Sequence, residues 1–523
     1  MSAFSRSLLT AGARFLSARA NRRLRDPQRI LPAQAKTFSR LIGAMARCSF
    51  GRDSGIHAGM TYAQFQSAIP PRTYEQFIEP IERMKRGEAD VLWPGTCSYY
   101  AVSSGTTAGR TKYLPITKGM LAHFRQAGLD SLLYYTARTG STSVFGGKHL
   151  FLGGSTALTQ IEESKPFTAW AGDLSGITAI HLPSWVDKFL YEPGAALAQL
   201  GDWPQKIKAI AERTHDRDIR LVAGIPSWVL ILAAAVRARA TNDSRQITDL
   251  RAVWPNLECL IHGGVPISPF IDELRTALGA GVNFHEVYPA SEGFIATQDA
   301  DASLGLRLMT DVGLFYEFLP LNEFDESRLA ELGSKVVPLE GVKPGVDYAL
   351  LLTTPAGLCR YVIGDVVRFV STDVPRLVYA GRTKLQLSAF GEHVIEKELT
   401  DALSTVCQRH GWGIANFHVA PLFADSVAGR ERGRHEWWIE LKASLKLTAI
   451  AMLAAELDAE LIRLNDDYEA KRKGRGLESP ELRLVREGTF EQWMRAHGKW
   501  GGQSKMPRCR SDREIADELA KLG

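Results

Sequence analysis

The spacing of apolar positions changes character several times along the chain, and each change marks a different kind of element. Over residues 1 to about 90 the apolar side chains recur at helical intervals, as in Phe65, Ile69, Phe77, Ile78 and Ile81, with a break at Pro70-Pro71. From Tyr99 the run Tyr-Tyr-Ala-Val predicts a short strand, then a Ser/Thr/Gly loop, then a second strand around Tyr113 to Ile116. Strand-like and helix-like pieces alternate from there to about residue 300. His149-Leu-Phe-Leu leads into Gly153-Gly154, and Leu257 to Ile261 leads into Gly263-Gly264. Such alternation predicts an α/β body. Residues 305 to 380 read as strands punctuated at Gly313, Pro320, Pro344-Gly345 and Pro355. Beyond about residue 390, helical patterns near Glu396 to Cys407 and Ala449 to Leu464 flank a strand-like Trp437-Trp-Ile-Glu-Leu, which predicts a separate small α+β domain.

Composition narrows the function class. At 523 residues the chain exceeds the size of a single core, so a large domain with a smaller companion is expected. The formal charge of +5 arises from 63 basic and 58 acidic side chains spread along the chain, which argues against a nucleic-acid partner. Six cysteines stand far apart without a Cys-x-x-Cys pair, so neither a disulfide framework nor a zinc site is expected, and a reducing cytoplasm fits. The longest apolar stretch, Trp228 to Val236, is about half of the roughly 20 residues a spanning helix needs, and no membrane partner is expected. Six arginines precede the first acid, Asp26. That pattern resembles a mitochondrial transit peptide, and it equally describes an exposed amphipathic helix, which is the expectation adopted.

Three segments carry candidate chemistry. In Val102-Ser-Ser-Gly-Thr-Thr-Ala-Gly-Arg-Thr-Lys112, small residues let backbone N–H groups turn onto an anion, neighbouring hydroxyls add donors, and Lys112 supplies a cation. The segment is not a Walker A loop, because Arg110 stands where lysine would follow Gly109. In the second segment, Leu260-Ile-His-Gly-Gly is followed by a helix-like run to about Leu278 and then by Asn283-Phe-His-Glu-Val-Tyr-Pro-Ala-Ser-Glu-Gly. Two such strand ends would face one edge of a parallel sheet, where open α/β proteins bind ligands. A flat base could lie on Gly263, Gly264 and Tyr288, and Glu292 is a hard oxygen donor suited to Mg²⁺ beside phosphate. The third segment is Gly357-Leu-Cys-Arg-Tyr-Val-Ile-Gly-Asp-Val-Val-Arg, whose acid, Asp365, could accept from a ribose diol or simply form a turn.

Taken in order, these segments resemble the acyl-adenylate-forming superfamily, and more closely the acyl-acid amido synthetases of the Gretchen Hagen (auxin-responsive) family. The strings that carry the likeness are Ser103-Ser-Gly-Thr-Thr-Ala-Gly, Tyr288-Pro-Ala-Ser-Glu-Gly and Arg360-Tyr-Val-Ile-Gly-Asp-Val, with Gly381-Arg382 and Gly502-Gln-Ser-Lys-Met-Pro-Arg in support. The family's plant enzymes typically carry serine where Ala290 stands and arginine where Val362 stands. The resemblance implies an α/β fold with a large N-terminal adenylate-forming domain, β-sheets flanked by helices plus a small β-barrel, over residues 1–384. A smaller mobile α+β lid domain would occupy residues 385–523.

The resemblance also implies roles. Ser103, Ser104, Gly105, Thr106 and Thr107 would bind ATP phosphates; Gly263, Gly264, Tyr288 and Ser291 would border the nucleotide; Asp365 and Arg382 would serve the ribose. Glu292 would hold Mg²⁺, and Lys505 would contact the phosphate during catalysis. The implied reaction joins a small carboxylic acid to an amino acid in a cytoplasmic monomer. An acyl-CoA ligase shares its first half, and a nucleotide-binding regulator without catalysis is a third reading. His262, His285 and His393 are candidate bases for the amine, with packing or surface roles the simpler explanation. Trp170, Trp185, Trp228 and Phe294 could line an acid pocket or serve as core.

Overall fold

A computed structural model describes residues 3–24, 26–103, 112–164, 167–200, 203–241, 247–264, 267, 270–383, 386–387, 392, 394–422, 433–442, 447–473, 477–499, 506–510 and 512–522. The chain packs as two units. One comprises 1–363 and 368–378; the other comprises 364–367 and 379–523.

The first unit opens with the expected helices, among them Ala3–Leu24, Ile30–Met45 and Tyr62–Ala68. Thr61 begins the last of these with a capping box, its hydroxyl accepting from the Gln64 amide while the Gln64 side chain accepts from Thr61 N–H. The opening helix is not free on all sides. Ala13, Ser17 and Ala20 are buried, Thr136 donates to Ser17 Oγ at 2.6 Å, and Arg23 pairs with Asp130 at 2.8 Å. Three small residues one turn apart let it lie close against the helix Lys118–Thr139.

The main sheet has twelve strands among the described residues. Its parallel half runs in the spatial order Tyr191–Glu192, Lys148–Phe151, Ile219–Ala223, Cys259–Gly263, Asn283–Ala290. Helices Pro226–Thr241 and Ile271–Leu278 cover one face through Val229, Leu232, Val236 and Leu274, which pack on Val222 and Leu260. Lys118–Thr139 covers the other through Ala127 and Tyr135, against Leu221 and Cys259. At Asn283–Ala290 the sheet turns antiparallel and continues through Gly293–Thr297 and Leu306–Leu308 to the hairpin Tyr361–Ser371/Arg376–Arg382, then to Asp347–Thr353, Phe315–Pro320 and Val337–Pro338. A four-stranded sheet holds Tyr99–Ser103 between Lys112–Pro115 and Phe167–Gly172, with Thr159–Ser164 at its edge.

In the second unit, Ile414–Leu422, Arg434–Leu441 and Glu481–Val485 form a sheet. Helices Glu396–His410 and Leu447–Leu464 bury Leu399, Leu403, Leu453 and Leu457 with Trp437 and Ile439. Among the described residues no helix is long and apolar enough to cross a membrane.

Candidate functional site

The Gly-Gly segment and the Tyr-x-x-Ser-Glu segment lie on neighbouring parallel strands in the register Ile261↔His285, Gly263↔Val287. Glycine at 263 is a steric requirement: a β-carbon there would stand 2.1 Å from the Val287 carbonyl oxygen. Gly264 follows with a φ of +77°, a left-handed backbone that side chains resist. The strand therefore ends in two residues of bare backbone beside Tyr288, which is 7% exposed.

Ser291 and Glu292 form the turn that joins Asn283–Ala290 to Gly293–Thr297. Glu292 is buried, and the Tyr361 hydroxyl reaches it at 3.5 Å. Two residues on, the Phe294 amide donates to His123 Nε2 at 2.8 Å, while His123 Nδ1 meets the Val312 carbonyl at 2.8 Å. His123 must then be neutral and protonated on Nδ1, and burial holds it down to about 4. It pins the turn that presents Glu292. Nothing around His123 in sequence announces this, because its partners lie on distant strands.

Of the phosphate-loop segment, Ser103 closes its strand opposite Lys112 of the antiparallel partner strand. Lys112 opens that partner strand with its ammonium 5.6 Å from the Tyr74 ring centre. Ser104, Gly105, Thr106 and Thr107 lie outside the described residues, as do His393 and Lys505. In the second unit, Asp365 is buried and Arg382 Nε pairs with it at 3.2 Å. Gly364, with a φ of +88°, would bring a β-carbon to 3.3 Å from the Arg382 guanidinium.

Several candidates have structural work instead. His285 is fully buried with Nε2 against Ser131 Oγ and Thr297 Oγ1, and burial takes it down to about 3. His262 is buried and falls to about 4 for the same reason. Neither is placed to exchange protons with solvent near neutrality. Glu286 sits opposite His262 in the strand register, its carboxyl raised by burial, and sequence reasoning passed over it. Arg360, read as part of a ligand string, is a core cation paired with Glu317 at 3.1 Å; it also donates to the carbonyls of Ile69 and Gly333. Val362 packs with Leu319, Val336 and Leu351, a pocket that would not take the charge of an arginine. Trp185 is half exposed, whereas Trp228 and Phe294 pack against the cores.

Residues 25–282 match the GH3 family N-terminal domain, 307–382 the GH3 family central domain and 397–514 the GH3 family C-terminal domain. The chain belongs to the GH3 family. The indole-3-acetic acid-amido synthetase GH3.10 of Arabidopsis thaliana is 25% identical to this GH3 protein, over 87% of each chain. The protein named "probable indole-3-acetic acid-amido synthetase GH3.1" of Oryza sativa subsp. japonica is 32% identical, over 91% of this chain and 87% of its own. The solved structure of the GH3.15 acyl acid amido synthetase shares the fold with a TM-score of 0.75 at 18% identity, covering 94% of this chain and 93% of that one. GH3 proteins are adenylate-forming ligases, and this chain is an enzyme of that class.

Proposed function

We propose that this GH3 protein is an ATP-dependent acyl-acid amido synthetase that activates a small carboxylic acid as its adenylate and transfers the acyl group to an amino acid. The observation that carries the reading is the sheet edge where Gly263 and Gly264 end in bare backbone beside Tyr288, with Glu292 in the next turn. That edge suits a flat base, and its neighbouring carboxylate suits a metal-bound triphosphate.

In this reading Ser103 to Thr107 wrap the phosphates, Ser291 borders the nucleotide, and Asp365 with Arg382 serves the ribose. Glu292 fits Mg²⁺ as a hard oxygen ligand already oriented by Tyr361, and the ion would offset phosphate charge. Lys505 would add a cation during adenylation. The acid's oxygen bonds to the α-phosphorus as the bond to pyrophosphate breaks. The amine nitrogen then bonds to the acyl carbon, the bond to AMP breaks, and the ammonium proton leaves to water. Neither half asks the protein for a nucleophile; positioning and charge neutralisation suffice. Residues 1–384 would hold both substrates, 385–523 would act as the mobile lid, and the enzyme would work as a cytoplasmic monomer.

A pyrophosphate-release screen of carboxylic acids crossed with amino acids tests the reading. The expected result is acid-dependent pyrophosphate release followed by AMP and an amide. Release of AMP with coenzyme A but with no amino acid would replace it with a ligase forming thioesters, and absence of acid-dependent release would remove catalysis altogether.

A further inference from the structure

The near-balanced total charge conceals a sharp segregation. The first 52 residues contain eleven Lys and Arg against one acid, Asp26, leaving 52 basic and 57 acidic residues for the rest of the chain. This segment spans the helices Ala3–Leu24 and Ile30–Met45, and the match to the family's N-terminal domain begins only at residue 25. The first helix therefore lies ahead of the residues that match that domain.

That helix has two different sides. Ala13, Ser17 and Ala20 anchor it to the body, as described above. At 3.6 residues per turn, Phe15, Arg19 and Arg22 project from the side opposite Ser17, with Arg14 and Leu16 on the flanks. Phe15 is 71% exposed and Leu16 is 40% exposed. Arg14, Arg19 and Arg22 are exposed and form no ion pair among the described residues. Ala11, Gly12 and Ala18 leave the rest of that side without bulk. The second helix is similar in part: Phe38, Leu41 and Ile42 face inward, while Leu31 is 41% exposed and Lys36 is exposed.

We propose that the outer side of the helix Ala3–Leu24 docks on an anionic lipid surface, with Phe15 and Leu16 entering the headgroup boundary and Arg14, Arg19 and Arg22 meeting lipid phosphates. Charge complementarity selects an anionic partner, and aliphatic and aromatic side chains set among long-stemmed arginines suit a lipid interface, where apolar tips insert and guanidinium groups stay at headgroup level. A nucleic acid would use the charge and leave Leu16 and Leu31 without a role. The inference is independent of the amido synthetase reading. It goes beyond the expectation of no membrane partner, which weighed only spanning helices.

Full-length protein would be sedimented at low ionic strength with vesicles of phosphatidylcholine, and with vesicles of phosphatidylcholine and phosphatidylglycerol in equal parts, against a single-stranded RNA oligonucleotide as competitor. Binding is expected to the anionic vesicles only, to weaken with added salt, and to fall roughly a hundredfold when Arg14, Arg19 and Arg22 are all replaced by Gln. Phe15→Ser, which leaves charge unchanged, should weaken it about tenfold. Both variants spare Ala13, Ser17 and Ala20, so circular dichroism and vesicle-free turnover should match the parent. No binding to anionic vesicles, binding indifferent to Phe15→Ser, or displacement by RNA would overturn the proposal.

Discussion

Glu292 is held from two directions, by the Tyr361 hydroxyl and by a chain whose next amide but one is fixed on His123. Its value to the enzyme is charge at a set point, which makes the isosteric change informative. Glu292→Gln should lower pyrophosphate release by about 10²- to 10³-fold while leaving the fold intact, and raising Mg²⁺ should recover little of the loss. Tyr361→Phe, which removes only the orienting hydroxyl, should cost much less; equal effects would mean that the pair matters to packing and not to phosphate. At this scale the sequence was informative where chemistry repeats locally. Glycines before a turn, an acid after Tyr-x-x-Ser and an acid after glycine all announce themselves. Arg360 did not, because its partners Ile69, Gly333 and Glu317 are scattered along the chain and only burial reveals that its task is structural.

Elements were legible to the extent that their periodicity was clean. The strands at Tyr99, His149, Cys259 and Trp437 and the helices at Glu396 and Leu447 fall where their patterns predict. The reversal at Ser291–Glu292 was not legible, since a strand-rich string does not say whether the next strand runs parallel or antiparallel to its predecessor. The opening helix also differs from its expectation, because alanine and serine hide a packing face that apolar scales overlook. The tight approach of Cys259–Gly263 to Asn283–Ala290 gives a direct test of element packing. Gly263→Ala would drive a methyl group into the Val287 carbonyl, a backbone atom that cannot rotate away. A loss of about 1–3 kcal/mol in urea unfolding is expected, together with a raised KM for ATP as the two strand ends part. Unaltered stability would show that the strands can slide without cost.

Across the whole molecule, burial imposes a common behaviour on histidines that otherwise have nothing in common. His123, His149, His262 and His418 are held down to about 4 and His285 to about 3, in each case chiefly by loss of solvent. Each is neutral when folded and titrates near 6.5 when unfolded, so the unfolded chain takes up protons first as pH falls. Stability should be level above about pH 6.5 and decline steadily toward about pH 4, by up to roughly 1.4 kcal/mol per pH unit for each histidine. Thermal midpoints measured across that range check this, and a flat profile would show that water reaches these side chains in the folded state.

The charge segregation at the first two helices has a practical face as well. A resin bead responds to the patch that touches it, not to an average over 523 residues. Near its overall isoelectric point of about 8.8 the protein should still be retained on a cation exchanger, held by its arginine-rich end, and removing the first helix should let it run through.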